Sequence, residues 1–382
     1  MRLSAAARRF GAVYRTLAVI VLNTLLLLLL VEGAAALVLA GREIPREEQV
    51  QAFKDKMLRL EYYYGQDWSK AYWDEHMQAV DHWVYQPYRL WQTRPFDGQF
   101  INVDEQGRRV TPGSGCAAGK KRIFAFGGST MWGYGVPDWG TIPAYLQAGL
   151  ADACVVNYGE MGFNSMQSLL RLVERLQAGD VPDAVIFYDG SNDVTAAHRS
   201  SRPGAHFSEE TVAPAVENAL NAGGTGVSPL RALVTNTATY RLLAGASQAG
   251  PDWALPPFAP GFVDGVAETY LNNIRAASAL AQEYGFAFYA FLQPVLPLEG
   301  EPANEEQQMF LWDMPGGLPE LFRAVYPRWM ATAESLPYVY DLSNVLDGQP
   351  YPVWIDFNHL TPWGNLAAAD AMLKVIRPAV DG

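Results

Sequence analysis

A serine follows two glycines at Gly127-Gly128-Ser129, and much later in the chain an aspartate precedes a histidine by three positions in Asp356-Phe-Asn-His359. A serine hydroxyl is a weak nucleophile until a base takes its proton. Imidazole titrates where it can do so, and a neighbouring carboxylate orients the ring and stabilises its charged form. Such a set performs acyl transfer through a serine ester. As the acyl carbon becomes tetrahedral its oxygen gains charge and needs N–H donors. Candidate donors are the amide of Ser129, the amide of Gly162 in Asn157-Tyr-Gly-Glu-Met-Gly-Phe-Asn164, and the side chain of Asn192 in Asp189-Gly-Ser-Asn-Asp193. Each fragment alone has a bland explanation: the glycines permit turns, Asn192 caps a helix or turn, and Asp356 and His359 pair on a loop. Their joint presence, in this order, points to chemistry.

Such residues must be held by a framework, and the pattern from Lys120 onward supplies one. Short apolar strands at 122–126, 154–157, 184–188, 286–292 and 338–341 alternate with helical stretches at 139–150, 165–178 and 263–285. Strand–helix repetition predicts a parallel sheet covered on both faces, with ligands beyond the carboxyl ends of the strands. Ser129, Gly162 and Asn192 follow the first three strands, and Asp356 and His359 precede the last helix. Residues 196–260 form an insertion with glycine- and proline-rich segments at 222–226 and 256–260, expected to hold two helices and a loop near the site.

With its blocks in this order, the chain resembles an SGNH, or GDSL-like, serine hydrolase over about residues 120–378. The resemblance implies a three-layer α/β/α sandwich with a central parallel sheet of flavodoxin-like type, and no cofactor or metal. It implies Ser129 as nucleophile, His359 and Asp356 as the rest of a triad, and Ser129, Gly162 and Asn192 as the oxyanion hole. The segment Asn102-Val-Asp-Glu-Gln-Gly-Arg-Arg109 also looks like the lead-in of membrane-anchored bacterial members. One departure stands out: the family's usual Gly-Asp-Ser is Gly-Gly-Ser here, which removes a carboxylate beside the nucleophile.

Composition narrows the classes further. The 382 residues carry 28 Lys plus Arg against 40 Asp plus Glu, a net charge of -12, and 49% are hydrophobic. That is globular chemistry, and the acidic balance disfavours nucleic acid, which needs a basic face. Two cysteines are too few for a disulfide scaffold or a cysteine zinc site. Cys116 and Cys154 lie near the amino ends of neighbouring strands and are expected to pair in an oxidising compartment, the alternative being two buried thiols. His76, His82, His198 and His206 lack metal-like spacing and are expected on the surface or in packing, with His198 and His206 in an insertion that could border the cleft. Trp132, Trp139 and Trp363 flank the motif blocks, as a sugar-stacking platform or as core.

Residues 17–31 are almost wholly apolar, and the segment stays mostly apolar to Ala40, long enough to cross a bilayer. Arg2, Arg8, Arg9 and Arg15 precede it, which predicts a cytoplasmic amino terminus, a membrane segment over 16–40 and an exported remainder, in the inner membrane with the catalytic part periplasmic. A cleaved signal peptide is the competing reading, since Ala34 and Ala36 supply a small-x-small site. Glu32, near the outer end, is expected to mark the interface in preference to pairing with another helix. Three regions follow: 1–41 as basic tip and anchor, 42–115 as an aromatic-rich lead-in packed on the main domain, and 116–382 as the hydrolase domain. The resemblance gives a reaction class without a substrate. The leading expectation is a membrane-anchored serine esterase that removes O-acetyl or other short acyl groups from a glycan or small ester. Alternatives are a polysaccharide O-acetyltransferase and an inactive glycan-binding or assembly protein on the same fold. A lipase is disfavoured because no continuous apolar lid helix follows the nucleophile.

Overall fold

A computed structural model describes residues 5–41, 45–80, 83–222, 234, 237–247 and 258–380. His82, Arg2, the charged stretch 42–44, residues 223–226 of the first glycine-rich segment and 256–257 of the second lie outside the described residues. The chain divides into two compact units, one of residues 1–49 with 213–252 and one of 50–212 with 253–382.

The larger unit is built on a parallel five-stranded sheet. Its strands are β5 (Lys121–Gly127), β6 (Ala153–Asn157), β7 (Ala184–Asp189), β8 (Ala287–Leu292) and β9 (Val339–Asp341), in the order β6-β5-β7-β8-β9. Four short strands precede them as two antiparallel pairs: β1 (Trp83–Gln86) with β2 (Leu90–Thr93), and β3 (Phe96–Asp97) with β4 (Asn102–Val103). Alternation along β5 sends Ile123 and Ala125 to one face and Phe124 and Phe126 to the other, and all four are buried. Both faces are covered, which is why the strands read as continuous apolar runs. Helices α5 (Ile142–Gly149) and α13 (Pro362–Val380) pack on the first face, through Leu146 and Met372 among others. On the second lie α6 (Ser165–Gln177), α10 (Phe262–Tyr284) and, after the short α11 (Glu305–Trp312), α12 (Leu318–Ala333), with Leu172, Ile274 and Trp329 in the core. The three-layer α/β/α sandwich expected from the sequence is therefore present.

Local differences have local causes. The stretch expected as one helix over 139–150 is a short 3-10 turn at Asp138–Gly140 followed by α5, because the Thr141 side chain accepts from Ala144 N and caps a new helix. The aromatic lead-in is two helices, α2 (Arg46–Met57) and α3 (Ser69–Ala79), separated by turns that include Gly65 at φ +75°. Tyr63, Tyr72 and Trp73 from this region are fully buried in the first-face core. Cys116 and Cys154 form a disulfide with Cα atoms 5.2 Å apart.

In the smaller unit, α1 (Ala5–Ala40) contains one apolar span, Phe10–Ala40, long enough to cross a membrane. The insertion contributes α8 (Glu209–Ala222), which begins in the larger unit, and α9 (Ala238–Ser247), which packs beside α1.

Candidate active site

The site is assembled at the carboxyl edge of the sheet. Strand β5 ends at Gly127, and Ser129 opens the short helix α4 (Ser129–Trp132) directly after it. From the far end of the chain, the segment before α13 folds back on itself: Trp354 bridges Leu360, Ile355 N donates to His359 O at 2.9 Å, and Thr361 N to Val353 O at 2.9 Å. This closed loop carries Asp356 and His359. His359 Nε2 lies 2.7 Å from Ser129 Oγ, and His359 Nδ1 lies 2.6 Å from Asp356 Oδ2. The other carboxylate oxygen of Asp356 accepts from the backbone N–H groups of Asn358 at 2.9 Å and His359 at 2.8 Å. Burial works to raise the Asp356 carboxyl, but the His359 charge and these hydrogen bonds outweigh it and hold the group below the ordinary aspartate value. Asp356 therefore stays ionised, with Nδ1–H the tautomer its Oδ2 favours and Nε2 turned to the serine.

Two further elements lie beside the backbone at Ser129. Gly162, at φ +74°, lies between β6 and α6, and the Asn192 side chain projects from α7 (Ser191–Ser200) after β7. The Asn192 amide donates to Phe163 O at 2.7 Å. It also packs against the Cα of Gly128, so that a Cβ at Gly128 would collide with the Asn192 nitrogen and come within 2.9 Å of Phe163 O. Ser129, the 162–163 segment and Asn192 are thus immediate neighbours. An amide nitrogen has two hydrogens, and with one on Phe163 O the other is left for a ligand oxygen.

The 160–163 segment is braced from behind. The buried Glu160 accepts from Thr93 N at 2.9 Å, Thr93 Oγ1 at 2.6 Å and Met161 N at 2.9 Å, while Trp91 Nε1 donates to Met161 O at 2.7 Å. Burial raises the Glu160 carboxyl against the opposing pull of Arg171 and these donors. The β1–β2 hairpin is thereby pinned to the backbone just before Gly162. A Cβ on Gly162 would stand 3.4 Å from Phe207 and from Trp91, so those two rings wall this part of the site. Asp193 ties α7 to the start of α6 by accepting from Ser165 N at 3.2 Å; burial raises its pKa to about 6 against the Ser165 hydrogen bonds. Arg109, the last residue of the 102–109 lead-in, is buried, pairs with Asp138 at 2.8 Å and donates to the carbonyls of Gly133 and Val136. It fastens the turn after α4.

Two neighbours of the triad had no sequence signal. Tyr134 lies against the His359 ring with centroids 4.2 Å apart, and its N–H donates to Ser129 O at 2.9 Å. Asn358, visible in the sequence only as a polar residue inside Asp356-Phe-Asn-His359, donates from its side chain to Ser191 Oγ at 3.0 Å and so joins the triad loop to the start of α7. His76 is buried behind Tyr134, its pKa lowered to about 3 by burial and then by the Arg109 and His359 charges, so it is a neutral packing residue. His198 is buried, with Nε2 3.0 Å from Gly316 O, and His206 packs near Trp91. Trp132 is fully buried and takes no part in a surface platform, whereas Trp139 and Trp363 are 50% and 40% exposed. Among the described residues, no three His, Cys, Asp or Glu side chains are grouped to hold a metal.

No curated protein matches the chain. Solved structures similar to it include a lipolytic protein of the G-D-S-L family from Veillonella parvula, at 16% identity over 67% of this chain and 98% of that one, TM-score 0.39. A catalytic mutant of an acetylxylan esterase from Geobacillus stearothermophilus matches at 16% identity over 70% and 96%, TM-score 0.36. The C-terminal catalytic domain of peptidoglycan O-acetyltransferase A from Streptococcus pneumoniae matches at 13% over 69% and 96%, TM-score 0.33. A family model describing GDSL-like lipases and acylhydrolases matches residues 125–318, slightly more than half of the chain, from the strand before Ser129 through the Asn192 block. By that match, the chain belongs to the GDSL-like lipase/acylhydrolase family.

Proposed function

We propose that this protein is a membrane-anchored, extracytoplasmic serine esterase that removes O-acetyl or other short acyl groups from a glycan. The observation that carries the reading is the unbroken chain from Ser129 Oγ through the His359 ring to Asp356, at 2.7 and 2.6 Å. In the reaction Ser129 Oγ attacks the acyl carbonyl carbon while His359 Nε2 takes the hydroxyl proton. The carbonyl oxygen, now anionic, accepts from the amides of Ser129 and Gly162 and the free N–H of Asn192. Collapse breaks the bond to the sugar oxygen, which leaves with the proton from His359. Water then attacks the acyl-serine by the same path in reverse, releasing the carboxylic acid and restoring the serine.

The rings of Trp363 and Tyr351, 40% and 55% exposed, lie with centroids 4.8 Å apart and planes tilted by 44°, one on either side of His359 in the chain, and support a carbohydrate substrate. Export is supported by the arginines before the apolar span and by the Cys116–Cys154 disulfide, a bond that persists in oxidising compartments.

The test is hydrolysis of p-nitrophenyl esters of increasing acyl length, and of an acetylated polysaccharide, by the full-length protein in detergent. Acetyl should be preferred, Ser129→Ala and His359→Ala should fall to background, and Asn192→Ala should lose about 10²- to 10³-fold in kcat. A preference for long acyl chains would overturn the short-chain reading. Acyl transfer to an added glycan in place of release as free acid would make the protein a transferase.

A further inference from the structure

Between Arg15 and Arg42 the chain has a single charged side chain, Glu32. A carboxylate within an apolar span is costly unless it is fully hydrogen-bonded. Glu32 is: its carboxylate accepts from the backbone N–H of Ala238, from Thr239 N at 3.0 Å and from Thr239 Oγ1 at 2.8 Å. Ala238 and Thr239 are the first two residues of α9, whose opening N–H groups have no partner within their own helix. An acid in the anchor thus caps a helix that stands 206 residues later in the sequence, and each satisfies the other. The expectation that Glu32 only marks the interface is corrected by this pairing. Ala35, 5% exposed, and the half-buried Leu39 continue the same face of α1 at helical spacing.

The location of that face decides what surrounds α9. A hydrocarbon core of about 30 Å takes about 20 helical residues, so a span entered just after Arg15, at Thr16, leaves it near Ala35. Glu32, Ala35 and Leu39 then straddle the outer boundary of the core, and the amino end of α9, capped by Glu32, meets the interfacial layer there. On α9, Tyr240 and Leu243 are exposed, at 45% and 67%. A tyrosine and a leucine turned outward at headgroup depth suit an interfacial helix, with apolar groups toward the acyl chains and the phenol hydroxyl toward water.

We propose that the insertion is a second membrane contact: α9 lies in the outer interfacial layer, docked on the anchor through the Glu32 cap, with Tyr240 and Leu243 against lipid. This rests on the reading that α1 spans the membrane. The partner is the lipid surface itself. As a result the chain passes between the membrane unit and the hydrolase unit at three places, 49/50, 212/213 and 252/253.

The test uses full-length protein in phosphatidylcholine vesicles. Both native cysteines are bonded to each other, so a thiol-reactive fluorophore goes only to an introduced cysteine. One sample carries the probe at Leu243→Cys and another at Leu26→Cys, in mid-span. Nitroxide lipids should quench both, the headgroup-proximal nitroxide acting best on 243 and the deep one on 26, with little quenching of either by aqueous iodide. In Glu32→Ala, the probe at 243 should lose most of its lipid quenching and become open to iodide, while the probe at 26 is unchanged. Iodide quenching at 243 with lipid quenching at 26 would overturn the second contact but leave the anchor standing. Absence of lipid quenching at 26 would overturn the anchor and the proposal with it. Unchanged lipid quenching at 243 in Glu32→Ala would overturn docking through the cap. If that variant fails to insert, the Glu32→Cys/Thr239→Cys pair serves instead: a short bis-maleimide, with a reach longer than a disulfide's, should cross-link the two thiols within one chain, and two thiols that stay unlinked would contradict the docking.

Discussion

Gly128 stands where the family's usual motif has an aspartate, and its surroundings give the reason: any Cβ there would collide with the Asn192 amide. Here the absence of a side chain lets the Asn192 amide approach the backbone just before Ser129. Gly128→Asp, which restores the more familiar motif, should therefore lower kcat, by about 10²-fold if Asn192 is displaced as a donor. Its thermal melt should fall as well, because Gly128 is buried and the added Cβ also meets the backbone oxygen of Phe163 at 2.9 Å. Activity equal to the parent would show that the Asn192 position is not needed. At this scale much of the site could be read in advance, because Ser129, Gly162, Asn192, Asp356 and His359 sit in short blocks whose residue types and order are informative together. Tyr134 and Asn358 could not be assigned roles that way. Their partners, His359 and Ser191, are distant in sequence, and neither residue type is unusual where it stands.

The loop that carries Asp356 and His359 is an element with its own latch. Beyond the Trp354–Leu360 bridge, Trp354 Nε1 donates to Glu299 at 3.1 Å, joining the loop to the segment after β8. Burial raises the Glu299 carboxyl from 4.5 to about 7, against the Trp354 hydrogen bond. A carboxyl whose folded pKa exceeds its unfolded value favours the fold most when protonated. Its contribution is full below about 4.5 and is lost as pH rises through about 7. Chemical denaturation across that window should show Glu299→Gln with a flatter dependence on pH than the parent, and identical slopes would contradict the assignment. The strands of the main sheet were legible to within a residue or two, since both faces are buried and each strand is an apolar run. The β1–β2 hairpin was not. Its turn places Tyr88 and Leu90 at positive φ, 64° and 76°, and so lacks the glycine or asparagine that marks such turns in a sequence.

In the molecule as a whole, two long-range ties act on the chain. The Cys116–Cys154 disulfide closes a loop of 38 residues across the neighbouring strands β5 and β6. Loop-closure entropy for that length corresponds to about 4 kcal/mol. Cys116→Ser/Cys154→Ser should lose stability of that order in urea while keeping the triad geometry and ester turnover at low temperature. A midpoint unchanged from the oxidised parent would contradict it. The second tie is Glu32 to α9. The sequence displayed the acid but not its partner, because a capped helix N-terminus more than two hundred positions away leaves no local pattern. For the same reason the insertion reads in sequence as part of the hydrolase domain, whereas residues 213–252 group with the amino-terminal helix.

Covalent labelling of the full-length protein reads the nucleophile directly. After treatment with a p-nitrophenyl phosphonate, which traps an activated serine as a stable ester, peptide mass spectrometry should find one adduct, on Ser129. Labelling should vanish in Ser129→Ala and slow by orders of magnitude in His359→Ala, where the base that takes the hydroxyl proton is gone. Ester hydrolysis that continues with Ser129 unlabelled, or labelling that is indifferent to His359, would contradict a Ser129–His359–Asp356 triad.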